Sequence, residues 1–110
     1  MTVPDVPLSD GRTIPQLGLG IWQASPEETE RVVRFAIDEA GYRHIDGARV
    51  YGNEEALGAA VAASVVPRDE LFITTKLWND DHGRTRPLRA IDASLDRLGM
   101  DYVDLFLVHW

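Results

Sequence analysis

The sequence contains no cysteine. Disulfides, thiolate nucleophiles and cysteine-ligated zinc are thereby excluded, and the composition suits a reducing cytoplasm. Long hydrophobic runs are missing too. None reaches the roughly 18 residues of a membrane span, and residues 1–8 have neither the basic nor the apolar stretch of a signal peptide. Positive charge is scarce: 11 Lys and Arg stand against 18 Asp and Glu, a formal net charge of −7. That balance points away from nucleic acid and from anionic membranes as partners. What is present is a chain of 110 residues, 45% hydrophobic and 26% charged. This argues against disorder, is enough to bury a core, and fits one domain rather than two. A soluble enzyme or binding module is the class that remains.

Local signals alternate between strand and helix. Asp10-Gly11 between two β-prone runs predicts a hairpin with a two-residue loop. Residues 17–21 read as a first strand, followed by Ser25-Pro26-Glu27-Glu28, a helix start with a capping serine, a proline at the first position and a capping-box acid. Val32, Val33, Ala36, Ile37 and Ala40 form the expected apolar stripe of this helix, which Gly41 is placed to end. Residues 42–46 read as a second strand. Asn53-Glu54-Glu55 is expected to cap a second helix that buries Leu57, Ala60, Val61 and Ser64. Residues 71–76 form the third strand. Residues 85–98 form a third helix burying Leu88, Ile91, Leu95 and Leu98, with Gly99 as its stop. Residues 103–109 read as a fourth strand. The strands start near Leu17, Tyr42, Leu71 and Tyr102, separations of 25, 29 and 31 residues that match a βα unit. Repeated right-handed βα units give a parallel sheet, either doubly wound or part of a (β/α)8 barrel, and the period does not choose between them.

In both architectures ligands bind at the carboxyl ends of the strands. Asp46 ends the second strand, Lys76 the third and His109 the fourth, and Tyr51 follows Asp46 in the next loop. Four titratable groups are expected on one rim. A tyrosine is a poor general acid at neutral pH, but an ammonium beside it favours the phenolate, so Lys76 is expected to activate Tyr51 while Asp46 keeps Lys76 charged. His109 is suited to donate a hydrogen bond to a substrate oxygen. Trp22, Trp78 and Trp110 fall just past three of the strands, as apolar walls for a small substrate. His44, two residues before Asp46, reads as structural.

Tyr42-Arg43-His44-Ile45-Asp46-Gly47-Ala48-Arg49-Val50-Tyr51-Gly52-Asn53-Glu54 resembles the first signature of the aldo-keto reductases, and the order Asp46, Tyr51, Lys76, His109 resembles that family's catalytic tetrad. Gly18-Leu19-Gly20-Ile21-Trp22, Ile73-Thr74-Thr75-Lys76-Leu77-Trp78 and residues 95–105 extend the likeness across residues 8–110. Residues 78–83 look most like the bacterial 2,5-diketogluconic acid reductase branch. The resemblance implies a (β/α)8 TIM barrel and NADPH-dependent reduction of a small-molecule carbonyl, with Tyr51 protonating the oxygen as hydride arrives. It places Gly20, Ile21, Trp22 and Asp46 near the nicotinamide, and Trp22, Tyr51, Trp78, His109 and Trp110 around the substrate. Two positions depart from the family, which usually has threonine at Gly47 and a small or apolar residue at Arg49. A looser and differently charged Tyr51 loop is expected from them. A complete barrel takes roughly 250 residues. Residues 1–110 therefore read as an N-terminal hairpin plus about three and a half βα units, the amino-terminal half of the barrel, with most of the cofactor site beyond it. Alone, the chain is expected to be inactive.

Blander readings stand beside these. Lys76 and Asp46 are also what a structural ion pair at a rim would use, and Asp80-Asp81-His82 is better read as a solvated loop than as metal ligands. Gly18-Leu19-Gly20 lacks the third glycine of a dinucleotide fingerprint, which disfavours a Rossmann site. The alternative function is a half-barrel interaction module that self-associates, or pairs with a complementary half, through open strand edges.

Overall fold

The computed structural model describes residues 3–110. β1 (Asp5–Pro7) and β2 (Thr13–Pro15) pair antiparallel, with Val6 opposite Ile14. The hairpin loop has three residues, not the expected two. Leu8 N–H donates to the Arg12 carbonyl at 2.7 Å and Gly11 N–H to the Leu8 carbonyl at 3.1 Å, leaving residues 9–11 beyond the last pair. Asp10 explains the difference. A two-residue turn of the mirror-image type needs a positive φ at the aspartate, but Asp10 instead accepts the Arg12 N–H on its side chain at 3.0 Å, and Gly11 alone takes the left-handed conformation, at φ +88°.

β3 (Leu19–Gly20), β4 (His44–Asp46), β5 (Phe72–Leu77) and β6 (Leu105–Val108) make one parallel sheet in chain order. α1 (Pro26–Asp38), α2 (Glu54–Ala63) and α3 (Arg86–Leu98) connect them. A doubly wound sheet reverses its strand order at a switch point; here each crossover adds the next strand to the same edge and each helix packs on its predecessor. The question that the βα period left open is thereby answered: the sheet is an arc of a (β/α)8 barrel.

Between sheet and helices lies the core, where Ile45 and Ile73 meet Val33, Ile37, Leu57, Ala60, Val61 and Leu98. Ser25 caps α1, its side-chain oxygen accepting the Glu28 N–H at 3.1 Å. Val33, Ala36 and Ile37 are buried with Thr29, whereas Val32 faces outward because a helical step of about 100° carries it off the narrow buried face. α1 stops at Asp38, and Gly41, at φ +82°, turns the chain into β4.

α3 differs most from its sequence reading. Leu88 is 68% exposed, Ile91 and Leu95 are half-buried, and the buried face is Ala90, Ser94 and Leu98. The reason is close approach: α2 presents Gly58 to the Leu98 backbone and Glu54 to Ser94, so small side chains and a hydroxyl select the face. Asn53 does not cap α2. Its amide donates to the carbonyls of Ile21 at 2.9 Å and Ala24 at 3.2 Å and to the Thr29 hydroxyl at 3.2 Å, tying the start of α2 to the loop after β3. Ser64 lies past the end of α2 and donates to Asp38.

Candidate active site

The sheet face turned away from the helices carries His44, Asp46, Phe72, Thr74, Lys76, Leu105 and Leu107, brought level by the registers Asp46 to Thr74 and Lys76 to Leu107. His44 is structural, bonded through Nε2 to the Thr74 hydroxyl at 3.0 Å and packed edge-on against Phe72. One level higher, at the carboxyl ends, the chemistry collects. Lys76 Nζ lies 2.9 Å from both Asp46 oxygens, donates to the Gly47 carbonyl at 2.9 Å and donates to the Tyr51 hydroxyl at 3.4 Å. All three ammonium protons are thus directed, and the third goes to the phenol. Tyr51 is brought there by a 3-10 turn, Arg49–Tyr51, that Gly52 closes at φ +71°.

Gly47 is held on both sides. Its N–H donates to the Thr74 carbonyl at 2.9 Å and its carbonyl accepts from Lys76. A side chain here would stand 3.2 Å from Leu57 Cδ2, so a larger residue would require Leu57 to give way by a few tenths of an ångström.

His109 follows β6 and is fixed by its N–H to the Leu77 carbonyl at 2.9 Å. Its ring meets Tyr51 and Trp78 edge-on, with centroids 5.9 and 5.5 Å away. Burial pushes its pKa below the usual histidine value; the Lys76 charge pushes the same way, and Asp46 opposes both. Nδ1 is buried without a partner. A buried orphan N–H costs more than an orphan lone pair, so the neutral ring carries its proton on Nε2. The unfolded chain takes up a proton near pH 6.5 that the folded chain resists, so stability falls as the pH drops below about 6.5. His109→Gln is expected to flatten that part of the profile, measured as a smaller loss of Tm between about pH 7.5 and about pH 5 than in the unaltered chain.

Trp22, Val50, Tyr51, Trp78, His109 and Trp110 line one pocket of about 410 Å³. Every residue that the sequence associated with substrate is on that wall. Val50 is an addition the sequence did not signal, since a valine after an arginine in a loop carries no chemical mark. Trp22 and Trp110 are open walls, 68% and 88% exposed. Of the positions associated with a nicotinamide, Gly20 stands opposite Asp46 in register and Trp22 at the pocket. Ile21 comes to the rim with its backbone only. Its side chain is buried in the core, its N–H donates to the Asp46 carbonyl and its own carbonyl accepts from Asn53 and Ala24.

Glu54, read from the sequence as a helix cap, is a buried hub. It accepts from Thr75 at 2.7 Å, Ser94 at 3.3 Å and Arg97 Nε at 2.9 Å, bracing the backbone next to Lys76 from behind. Its partners lie 21 to 43 residues away in the chain, which no local pattern announces. A slightly larger cavity of about 460 Å³, lined by Arg49, Val50, Gly52, Glu54, Glu55 and Arg97, lies on the outer side of the Tyr51 turn, where Arg97 is already paired with Glu54. Among the described residues no three histidine, aspartate or glutamate side chains are grouped to hold a metal ion, and no helix is long and apolar enough to cross a membrane.

A phenol, an ammonium, a carboxylate and a neutral imidazole at the ends of adjacent parallel strands are equipped to move a proton to or from an oxygen in an apolar pocket. Residues 16–110 match the sequence profile of the aldo/keto reductase family. An aldo-keto reductase of Mycobacterium sp. (strain KMS) is 54% identical over all 110 residues, which span 40% of that protein. Methylglyoxal reductase DkgA of Yersinia pestis is 58% identical over 107 residues, 97% of this chain and 38% of the relative. The crystal structure of an aldo/keto reductase from Brucella melitensis superposes at a TM-score of 0.96 with 55% identity, covering 100% of this chain and 42% of that one. A Bombyx mori aldo-keto reductase in complex with NADP superposes at 0.92 with 46% identity, covering 100% and 39%. The chain thus spans about two fifths of the length of these relatives. With the profile matched over residues 16–110 and the fold superposing over the full chain, the chain belongs to the aldo/keto reductase family.

Proposed function

We propose that residues 1–110 form the amino-terminal half of an NADPH-dependent carbonyl reductase barrel acting in the cytoplasm, and that its tetrad is Asp46, Tyr51, Lys76 and His109. The observation that carries this reading is the Lys76 ammonium, which bridges the Asp46 carboxylate and the Tyr51 hydroxyl beside a neutral His109.

The residues present suit a nicotinamide. Gly20 has no atom within 4 Å of where a Cβ would stand, leaving open ground for a flat ring next to Asp46 and the exposed Trp22. NADP in the Bombyx mori structure supports the choice of cofactor. Bound NADPH supplies the hydride. Tyr51 then gives its proton to the carbonyl oxygen, and the phenolate left behind is stabilised by Lys76 until solvent returns a proton, so an aldehyde or ketone leaves as the alcohol. Asp46 holds Lys76 in place. His109 donates from Nε2 to the same oxygen and orients the carbonyl. The aromatic walls exclude water and accept a small apolar or dicarbonyl substrate; the methylglyoxal reductase of Yersinia pestis is consistent with the small end of that range.

Hydride transfer needs the nicotinamide and carbonyl held in near-attack geometry, so the chain alone is expected to consume no NADPH above a blank. Joined to the remaining strands of the Brucella melitensis reductase, it is expected to oxidise NADPH in the presence of an aldehyde. A folded joined barrel that binds NADPH and stays inert would contradict the reading.

A second reading, an interaction module pairing through strand edges, rests on Val108 and Trp110, 74% and 88% exposed beside the β6 edge. Light scattering with dye binding separates the two: a monomer at all concentrations with little dye-accessible apolar surface removes the second.

A further inference from the structure

Two short turns frame the mouth of the pocket. The first, Arg49–Tyr51, carries the wall residues Val50 and Tyr51; the second, Asn79–Asp81, follows directly on Trp78. Inside the pocket they are joined by the aromatic series Tyr51, His109, Trp78. Outside it they are joined once more, by Arg49 Nε at 3.4 Å from Asp81 Oδ2. That oxygen is buried and has no hydrogen-bond partner, so the contact is ionic and Arg49 is the cation recorded against it. Arg49 is also the position at which the sequence departs from the small or apolar residue that its family resemblance implies.

Charge on the first turn is therefore matched by charge on the second. We propose that Arg49 and Asp81 form a clasp outside the pocket that sets the distance between the Val50–Tyr51 wall and the Trp78 wall, and so selects substrates by their width next to the carbonyl. This rests on the carbonyl-reductase reading. Both residues are positioning residues: neither lines the space between Tyr51 and Trp78 with its charged group, and both act through the turn that each belongs to. With Arg49 40% exposed and Asp81 25% exposed, the pair is screened and adds little to global stability, so its effect falls on geometry. Releasing it lets the two turns part and admits a broader aldehyde.

The test uses the joined barrel, with propanal as a slim substrate and 2-naphthaldehyde as a broad one. Arg49→Asp and Asp81→Arg each place like charges across the clasp. Each is expected to shift the ratio of kcat/KM for the broad over the slim aldehyde by about fivefold or more, through KM, with kcat for propanal held within about twofold. The double exchange Arg49→Asp with Asp81→Arg restores the ratio, which a purely structural loss would not do. An unchanged ratio, or an exchange that fails to restore it, overturns the clasp while turnover by the unaltered barrel keeps the reductase reading intact. If the unaltered barrel folds and binds NADPH but does not turn over, the reductase reading fails by itself. The clasp is then judged by the Trp78 indole N–H resonance in the 110-residue chain. It is expected to move in each single variant and return in the exchange, and a resonance that stays put in the single variants overturns it.

Discussion

Replacing Tyr51 by phenylalanine is expected to lower kcat of the joined barrel for an aldehyde by about 10²- to 10⁴-fold, the range that a positioned general acid contributes. The change removes one hydroxyl and leaves the ring, whose edge contact with His109 is retained, so Tm and NADPH affinity stay near those of the unaltered protein. The size of the effect follows from what Lys76 does at that oxygen. Its ammonium lies 3.4 Å away, anchored at 2.9 Å to Asp46 and to the Gly47 carbonyl, so the phenolate formed by proton transfer meets a cation that needs no rearrangement. His109 does not replace it, because its neutral ring has one proton, suited to a hydrogen bond and poorly suited to full transfer. Single-turnover NADPH oxidation measures the step itself. A variant retaining more than about a tenth of the rate would move the acid away from Tyr51.

Gly58→Ala has the largest expected effect on stability. A Cβ at this position would overlap the Leu98 carbonyl oxygen and lie 2.6 Å from its carbon and 2.8 Å from its Cα. All three are backbone atoms, so no rotamer change relieves the clash and α2 must move off α3. Overpacking usually costs about 1–3 kcal/mol; with a rigid obstacle the expected loss is about 3 kcal/mol or more, a fall in Tm on the order of 15 °C. The same movement draws Glu54 from Ser94 and Arg97, so the backbone behind Lys76 is disturbed as well. Gly20→Ala is the control: nothing lies within 4 Å of its added Cβ, and its stability should change by less than about 0.5 kcal/mol. Thermal denaturation of the two variants, side by side, reads the difference.

Much of this was legible where the signal is local. Ser25-Pro26 marked the start of α1 because a capping oxygen and a fixed proline φ act within one turn, and Gly99 marked the end of α3 because the left-handed stop there, at φ +65°, suits glycine. The convergence of Asp46, Tyr51, Lys76 and His109 was legible for a different reason: parallel strands bring their carboxyl ends to one rim whatever the curvature of the sheet. Features decided between distant segments were not legible. The face of α3 is chosen by Gly58 and Glu54 on α2, which outweigh the leucine periodicity. Asn53 had the residue type of a cap, yet the carbonyls of Ile21 and Ala24 lay within its reach and took its amide instead. Ile21 belongs to an apolar run that touches the rim, and only its burial places its side chain in the core. The choice of barrel over doubly wound sheet likewise came from the strand order and the packing of each helix on its predecessor, which a βα period leaves undetermined.

The most direct measurement of the central claim, that this rim performs carbonyl reduction by hydride transfer, follows a labelled hydrogen. NADPH carrying deuterium on one face of C4 is supplied to the joined barrel with an aldehyde, and the alcohol is analysed by mass spectrometry and proton NMR. The expected result is one deuterium on the carbinol carbon from one of the two labelled faces and none from the other, with Tyr51→Phe slowing its appearance without changing the face. Alcohol free of deuterium from either face, or turnover indifferent to Tyr51, would contradict the assignment of the reaction to these residues.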